Sequence, residues 1–254
     1  MGELRGIIFD IDGTLEFKDR LYPGVAEVIK KLRETGFVLR FLTNSTMHSR
    51  MSRAVRLVKS GLFVSPKEII TASYATACYL RLLNPRSCWV MLEGEGLEEF
   101  PELSQDPLNP EYIVIGDNRS KFDFDTMNHA LRLLLRGAKI IGMNPDLVDN
   151  SSGEPELNVG SWVKILEVAA GVEAVYIGKP FPWIFELTLE GMGLNQEQVL
   201  MIGDRVQTDI RGAKEFGIRA ALVKTGEYNP RDLDDAKPDF IMDSMEDLFE
   251  MIDK

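Results

Sequence analysis

Four short apolar runs, each ending abruptly in polar residues, constrain the fold of this chain more than any other feature. They are Ile7-Ile8-Phe9 before Asp10-Ile11-Asp12-Gly13-Thr14-Leu15, and Phe37-Val38-Leu39-Arg40-Phe41-Leu42 before Thr43-Asn44-Ser45. Val175-Tyr176-Ile177-Gly178 precedes Lys179-Pro180, and Val199-Leu200-Met201-Ile202-Gly203 precedes Asp204, with Asp209 close behind. A strand that is apolar nearly throughout is one covered on both faces, as in parallel sheets, and ligands bind just beyond the carboxyl ends of such strands. Each polar tip is therefore expected where chemistry is done. Side chains alternate along an extended chain, so Asp10 and Asp12 can face the same way across Ile11 before Gly13-Thr14 turns the backbone. Like charges about 4 Å apart repel by roughly 4 kcal/mol at an effective dielectric of about 20, so a pair of acids there implies a cation or a shared proton. Thr43-Asn44-Ser45 offers several hydrogen-bond donors and a cap for the following helix, which suits an oxyanion.

Helical periodicity fills the intervals between the runs. Val25, Val28, Ile29 and Leu32 repeat at helical spacing and stop at Gly36, and residues 47–60 read as a second helix ended by Gly61. A short strand at 69–71 and a helix over 74–83 follow, and Asn84-Pro85 then breaks the pattern. Residues 84–173 carry a strand and helix series of their own, with strands at 88–92, 112–116 and 139–142 and helices at 123–136 and 161–170. From Val175 the first series is expected to resume. The chain is thus expected to be α/β, with a doubly wound, mostly parallel, Rossmann-like sheet over 1–83 and 174–254 and a smaller α/β domain inserted over 84–173.

Taken singly, Asp12-Gly13 is a turn dipeptide, Lys179 a solvated lysine, Thr43-Asn44-Ser45 a helix cap, and Asp209 an acid favoured by a helix dipole. Taken in order, they match four motifs. The chain resembles phosphatases of the haloacid dehalogenase superfamily at Asp10-x-Asp12-Gly13-Thr14, at Thr43-Asn44, at Lys179 and at Gly203-Asp204 with Asp209. Gly178-Lys179-Pro180, Thr43-Asn44-Ser45 and the long insertion between the second and third motifs resemble the nitrophenylphosphatase-like branch, in which that insertion is a large α/β cap. The resemblance implies a Mg²⁺-dependent phosphomonoester hydrolase acting on a small phosphorylated metabolite through an aspartyl-phosphate. Asp10 would be the nucleophile, and Asp12 the acid and then the base. Mg²⁺ would be held by the carboxylates of Asp10 and Asp204 and the backbone carbonyl of Asp12, with Asp209 holding metal-bound water or orienting Lys179. Thr43, the Asn44 backbone and Lys179 would clamp the phosphoryl oxygens. Asn144 and Asp146 of Met143-Asn144-Pro145-Asp146 resemble a cap stretch of the family, although Asn-Pro is also a simple turn, and Trp162 is expected to pack into the cap.

Other chemistries stay open on the same residues. A phosphoryl transferase keeps these motifs and differs in how water is excluded, and a phosphate-sensing protein would bind without turnover. A dehalogenase proper needs the first aspartate but has no leaving oxygen for Asp12 to protonate.

The 254 residues carry a formal net charge of −11, which argues against nucleic acid or an anionic membrane surface as partner. Arg205 and Lys179 are the candidate local cations for an approaching anion. No apolar stretch approaches membrane-spanning length, and the first strand begins within a few residues of the start, so a cytoplasmic protein is expected. Cys78 and Cys88, the only two cysteines, suit buried small hydrophobes, and His48 and His129 match no metal-ligand spacing. Relatives form cap-mediated homodimers, but no interface can be read from these residues.

Overall fold

The computed structural model describes residues 3–150 and 153–252. It contains two compact units. One runs to Thr43 and takes in Met51–Ile70 and the chain from Lys179 onward; the other consists of Asn44–Arg50 and Thr71–Gly178. The second unit therefore includes residues 44–50 and the helix Ala72–Leu83 as well as the span 84–173.

The first unit is built on a six-stranded sheet in the order Phe240–Met242, Arg219–Val223, Val199–Gly203, Gly6–Asp10, Val38–Thr43, Ile69–Thr71. Gly6–Asp10 lies at the centre, pairing in parallel with Val199–Gly203 (Phe9 opposite Ile202) and with Val38–Thr43 (Asp10 opposite Leu42). Its residues and those of Val199–Gly203 are all buried, as continuous apolar runs require. Parallel register sends all three chains out of the sheet at one edge, which brings Asp10, Thr43 and Asp204 to a common rim. The helix Val25–Glu34 lays Val25, Val28, Ile29 and Leu32 into a core that also holds Phe9, Phe41 and Leu57. Each such side chain contributes about 1.5–3 kcal/mol on burial, enough to fix the strands that carry the polar tips.

The second unit has its own parallel sheet, ordered Val175–Tyr176, Lys139–Gly142, Tyr112–Ile115, Cys88–Met91. Phe124–Leu135 and Val159–Ala170 pack their apolar faces into its core. One expectation is corrected here. Val175–Tyr176 was expected to return the chain to the first sheet, but it pairs with Lys139–Gly142, Tyr176 opposite Gly142. A side chain at Gly142 would meet the Tyr176 ring at 2.8 Å, so the missing side chain makes room for this edge strand. Lys179 consequently enters the first unit from a connection and not from one of its strands. Trp162 stacks on Phe122 with ring centroids 4.8 Å apart and packs, half-buried, against the core of the second unit, in line with the expectation. Among the described residues no helix is long and apolar enough to cross a membrane.

Candidate active site

Asp10 is the last residue of the central strand, and its carboxylate is buried. Lys179 donates from Nζ to Asp10 Oδ1 at 2.5 Å and to Asp209 Oδ1 at 2.6 Å, with the Leu42 carbonyl at 3.4 Å. Thr14 Oγ1 lies 3.4 Å from Asp10 Oδ2 and 3.2 Å from Asp204 Oδ1, linking the first and last motifs. Asp204, directly behind the strand Val199–Gly203, accepts from the Glu227 backbone N–H at 2.6 Å. Asp209 sits on a π-helical turn, Val206–Ile210, and accepts from the Arg205 N–H at 3.1 Å. That widened turn points its acid back toward the sheet.

The close approach of these groups needs glycine. Gly13 adopts φ +88°, and a Cβ there would overlap the Asp204 carboxylate. At Gly203 a Cβ would overlap the side chain of Asp209.

Carboxylate oxygens of Asp10, Asp204 and Asp209 all lie within 4.8 Å of one another, and all three residues are buried. Burial, and then the charge of Asp209, pushes the Asp204 carboxyl up to about 6 against the opposing Glu227 N–H and Lys179. Burial likewise raises Asp10 well above the ordinary carboxylate range; Lys179 opposes this, and the other acids add to it. Burial disfavours the Lys179 ammonium, but Asp10 and Asp209 outweigh it and raise that group above its usual value. Three buried acids facing one ammonium leave an excess of negative charge. The donor set is oxygen only, buried and electrostatically strained toward a cation, which fits a hard divalent ion.

Asp12 stands beside this cluster. Its side chain is 57% exposed and is held by two contacts: Thr43 Oγ1 donates to Oδ2 at 3.1 Å, and Arg53 Nη2 donates to Oδ1 at 2.5 Å. Arg53 is buried and also pairs with buried Glu16 at 3.0 Å.

Asp10, Lys179, Asp204 and Asp209 thus come together, with Asp12 and Thr43 joined to each other at the same strand ends. Asn44 begins the second unit, where its Nδ2 donates to Asp146 at 3.0 Å and its carbonyl accepts from Asn144 Nδ2 at 3.0 Å. Asn144 and Asp146 are both buried, so Asn144-Pro145-Asp146 is more than a surface turn. Arg205 pairs with Glu227 at 3.3 Å. Sequence reasoning missed Thr14 as the link between the motifs, and it missed Arg53 and Glu16. An arginine at a position of the helix Arg50–Lys59 that shares a buried face with Ala54 and Leu57 was the available signal.

Residues 7–104 match the haloacid dehalogenase-like hydrolase family, and residues 176–248 match a second, HAD-hydrolase-like family description. The chain is 33% identical over 235 residues to haloacid dehalogenase-like hydrolase domain-containing protein 2 of Bos taurus, covering 92% of this chain and 90% of the relative. It is 31% identical over 238 residues to the phospholysine phosphohistidine inorganic pyrophosphate phosphatase of Xenopus laevis (90% and 86% covered). Among solved structures, p-nitrophenyl phosphatase from Archaeoglobus fulgidus superposes with a TM-score of 0.91 at 32% identity, covering 98% of this chain and 100% of that one. NagD from E. coli K-12 superposes at 0.88 with 28% identity, covering 96% and 98%.

Proposed function

The chain belongs to the haloacid dehalogenase superfamily, in its nitrophenylphosphatase-like branch, and on that premise we propose that it is a Mg²⁺-dependent phosphatase of small phosphomonoesters working through an aspartyl-phosphate. The observation that carries this reading is the buried group formed by Asp10, Lys179, Asp204 and Asp209, gathered from both ends of the chain around one strand tip. Phosphate-monoester hydrolysis needs up to about 10²¹-fold acceleration, whereas one positioned proton donor supplies about 10²–10⁴. A nucleophile that divides the reaction and fixed positive charge on the phosphoryl oxygens must supply the rest.

Asp10 attacks phosphorus while the ester P–O bond breaks, and Asp12 gives its proton to the departing oxygen, which leaves as an alcohol. Water then attacks the aspartyl-phosphate, Asp12 takes a proton from it, and the bond from phosphorus to Asp10 breaks to release inorganic phosphate. Lys179 holds the Asp10 carboxylate in place and supplies positive charge, and Thr43 with the Asn44 backbone holds non-bridging oxygens. Asp10, Asp204 and the Asp12 carbonyl would hold Mg²⁺, with Asp209 fixing the geometry around them. When bound, the ion neutralises charge on the phosphoryl group and on the acids. In this reading the inserted domain over 84–173 is the cap, and the choice of leaving group falls to it.

The deciding experiment is hydrolysis of a broad phosphate-ester panel with and without Mg²⁺, repeated on Asp10→Asn. Turnover should require the ion and fall by at least about 10⁴-fold in the variant, with an unchanged circular dichroism spectrum. An acid-quenched, hydroxylamine-sensitive phosphoenzyme should form in the wild type only. Near-normal turnover by Asp10→Asn would remove Asp10 as nucleophile, and an inert wild type would favour a phosphate-binding role.

A further inference from the structure

Among the described residues, Arg53 is the one buried cation near the strand tips that the proposed chemistry does not use. It lies on the helix Arg50–Lys59, on a face shared with buried Ala54 and Leu57 that apolar side chains ordinarily fill. Its guanidinium instead bridges two acids, Asp12 at 2.5 Å and Glu16 at 3.0 Å. The arrangement is poorly suited to stability alone. Arg53 Nε and Glu16 Oε2 are both buried without a hydrogen-bond partner, and replacing a buried ion pair by apolar residues is often neutral or stabilising.

The geometry around Asp12 gives the cation another purpose. Glu16 is a rigid foot, 2% exposed, just beyond the loop that carries Asp12. Arg53 stands on it and holds Oδ1 of Asp12, while Thr43 holds Oδ2. Without Arg53, a carboxylate more than half exposed would keep a single hydroxyl contact and sample several rotamers. A proton donor must lie within about 2.6–3.2 Å of the oxygen it serves, and a misplacement of about 1 Å can cost 10²-fold.

Resting on the phosphatase reading above, we propose that Arg53, anchored by Glu16, is a positioning residue for the proton-transferring Asp12, and that it lets the enzyme cleave esters whose leaving oxygen requires a proton. Alkyl phosphates are of that class, because an alkoxide is too basic to depart unprotonated. Nitrophenolate departs without help. Loss of Arg53 should therefore separate two substrates that share one phosphoryl site.

The test compares kcat/KM for p-nitrophenyl phosphate and for an alkyl phosphate, with Mg²⁺ present, in the wild type, Arg53→Met, Arg53→Lys and Glu16→Gln. Because kcat/KM covers every step through departure of the leaving group, it reads the protonation directly. Arg53→Met should lower the alkyl value by about 10–100-fold and the aryl value by only about 3-fold, with competitive inhibition by inorganic phosphate unchanged. Arg53→Lys, a cation without the fork needed to bridge both acids, should restore part of the alkyl activity, and Glu16→Gln should shift the ratio in the direction of Arg53→Met. If Arg53→Met does not fold, the ratio in Arg53→Lys and Glu16→Gln decides. An unchanged alkyl-to-aryl ratio would overturn the inference, as would a parallel loss of phosphate inhibition, which would make Arg53 a phosphate ligand. A wild type inert toward both esters would instead bring down the phosphatase reading itself.

Discussion

Lys179 shows how much a single side chain carries here. It is 2% exposed, and its ammonium touches carboxylates that would otherwise face each other in a low-dielectric interior. The ion pairs form at a net cost in desolvation, so their removal is asymmetric: deleting one partner leaves the others buried and unpaired, at about 3–5 kcal/mol. Lys179→Met should therefore lose roughly that much stability to urea at neutral pH without divalent ions. In an Asp209→Asn background the same substitution should cost less, because one of the stranded charges is already gone. A loss below about 1 kcal/mol in the single variant, or strict additivity in the double, would show that the cluster tolerates its own repulsion. The same residue holds Asp10, so structure and reactivity at this position cannot be varied independently.

At the scale of elements, the site depends on strand ends that approach more closely than side chains normally permit. Gly13 is one such position, combining φ +88° with a Cβ position inside the Asp204 carboxylate. Gly13→Ala should cost about 1–2 kcal/mol for the backbone alone, and Mg²⁺ affinity should fall about 10-fold or more as Asp204 is displaced. A thermal melt and a Mg²⁺ titration check the two effects separately, and wild-type affinity in a folded variant would contradict this account. Three of the four polar tips were assigned to the strands that carry them: Gly6–Asp10 and Val199–Gly203 because a fully buried strand writes itself as an uninterrupted apolar run, and Val38–Thr43, partly buried and interrupted by Arg40, because its other residues are good β-formers. Lys179 was found as a residue but given the wrong strand. Val175 and Tyr176 have the same apolar character whichever sheet they join, and local pattern does not encode the pairing partner. For Arg53 the helical face it shares with Ala54 and Leu57 was a readable signal, but its partner was not, since Asp12 lies 41 residues away. The bond from Asn44 to Asp146 spans 102 residues, so Asn144-Pro145-Asp146 could be read only by its turn-forming dipeptide and its resemblance to a cap stretch of the family, and not by its partner.

The whole molecule carries a formal net charge of −11 and yet gathers three acids into one buried cluster for a reaction on an anion. Burial raises both Asp10 and Asp204 in the cluster, and Asp204, pushed up to about 6 from an ordinary value of 3.8, sets a defined pH window. Between these values the folded chain keeps a proton that the unfolded chain has released. Without a divalent ion, stability from this group is therefore complete below about pH 4 and is lost as pH rises through about 6. A bound cation reverses the preference, because it requires the ionised form and displaces the proton. Mg²⁺ at about 100 times its dissociation constant stabilises by about 2.7 kcal/mol, which for a chain of this size raises the thermal midpoint by roughly 5–10 °C. That rise should be seen at pH 7.5 and should shrink sharply at pH 5 at the same Mg²⁺ concentration. Groups elsewhere titrate alike with and without the ion and cancel in the difference. The shift should also vanish in Asp204→Asn at both pH values. An equal Mg²⁺ shift at pH 5 and pH 7.5 in the wild type would mean that the ion is held by groups other than these buried acids.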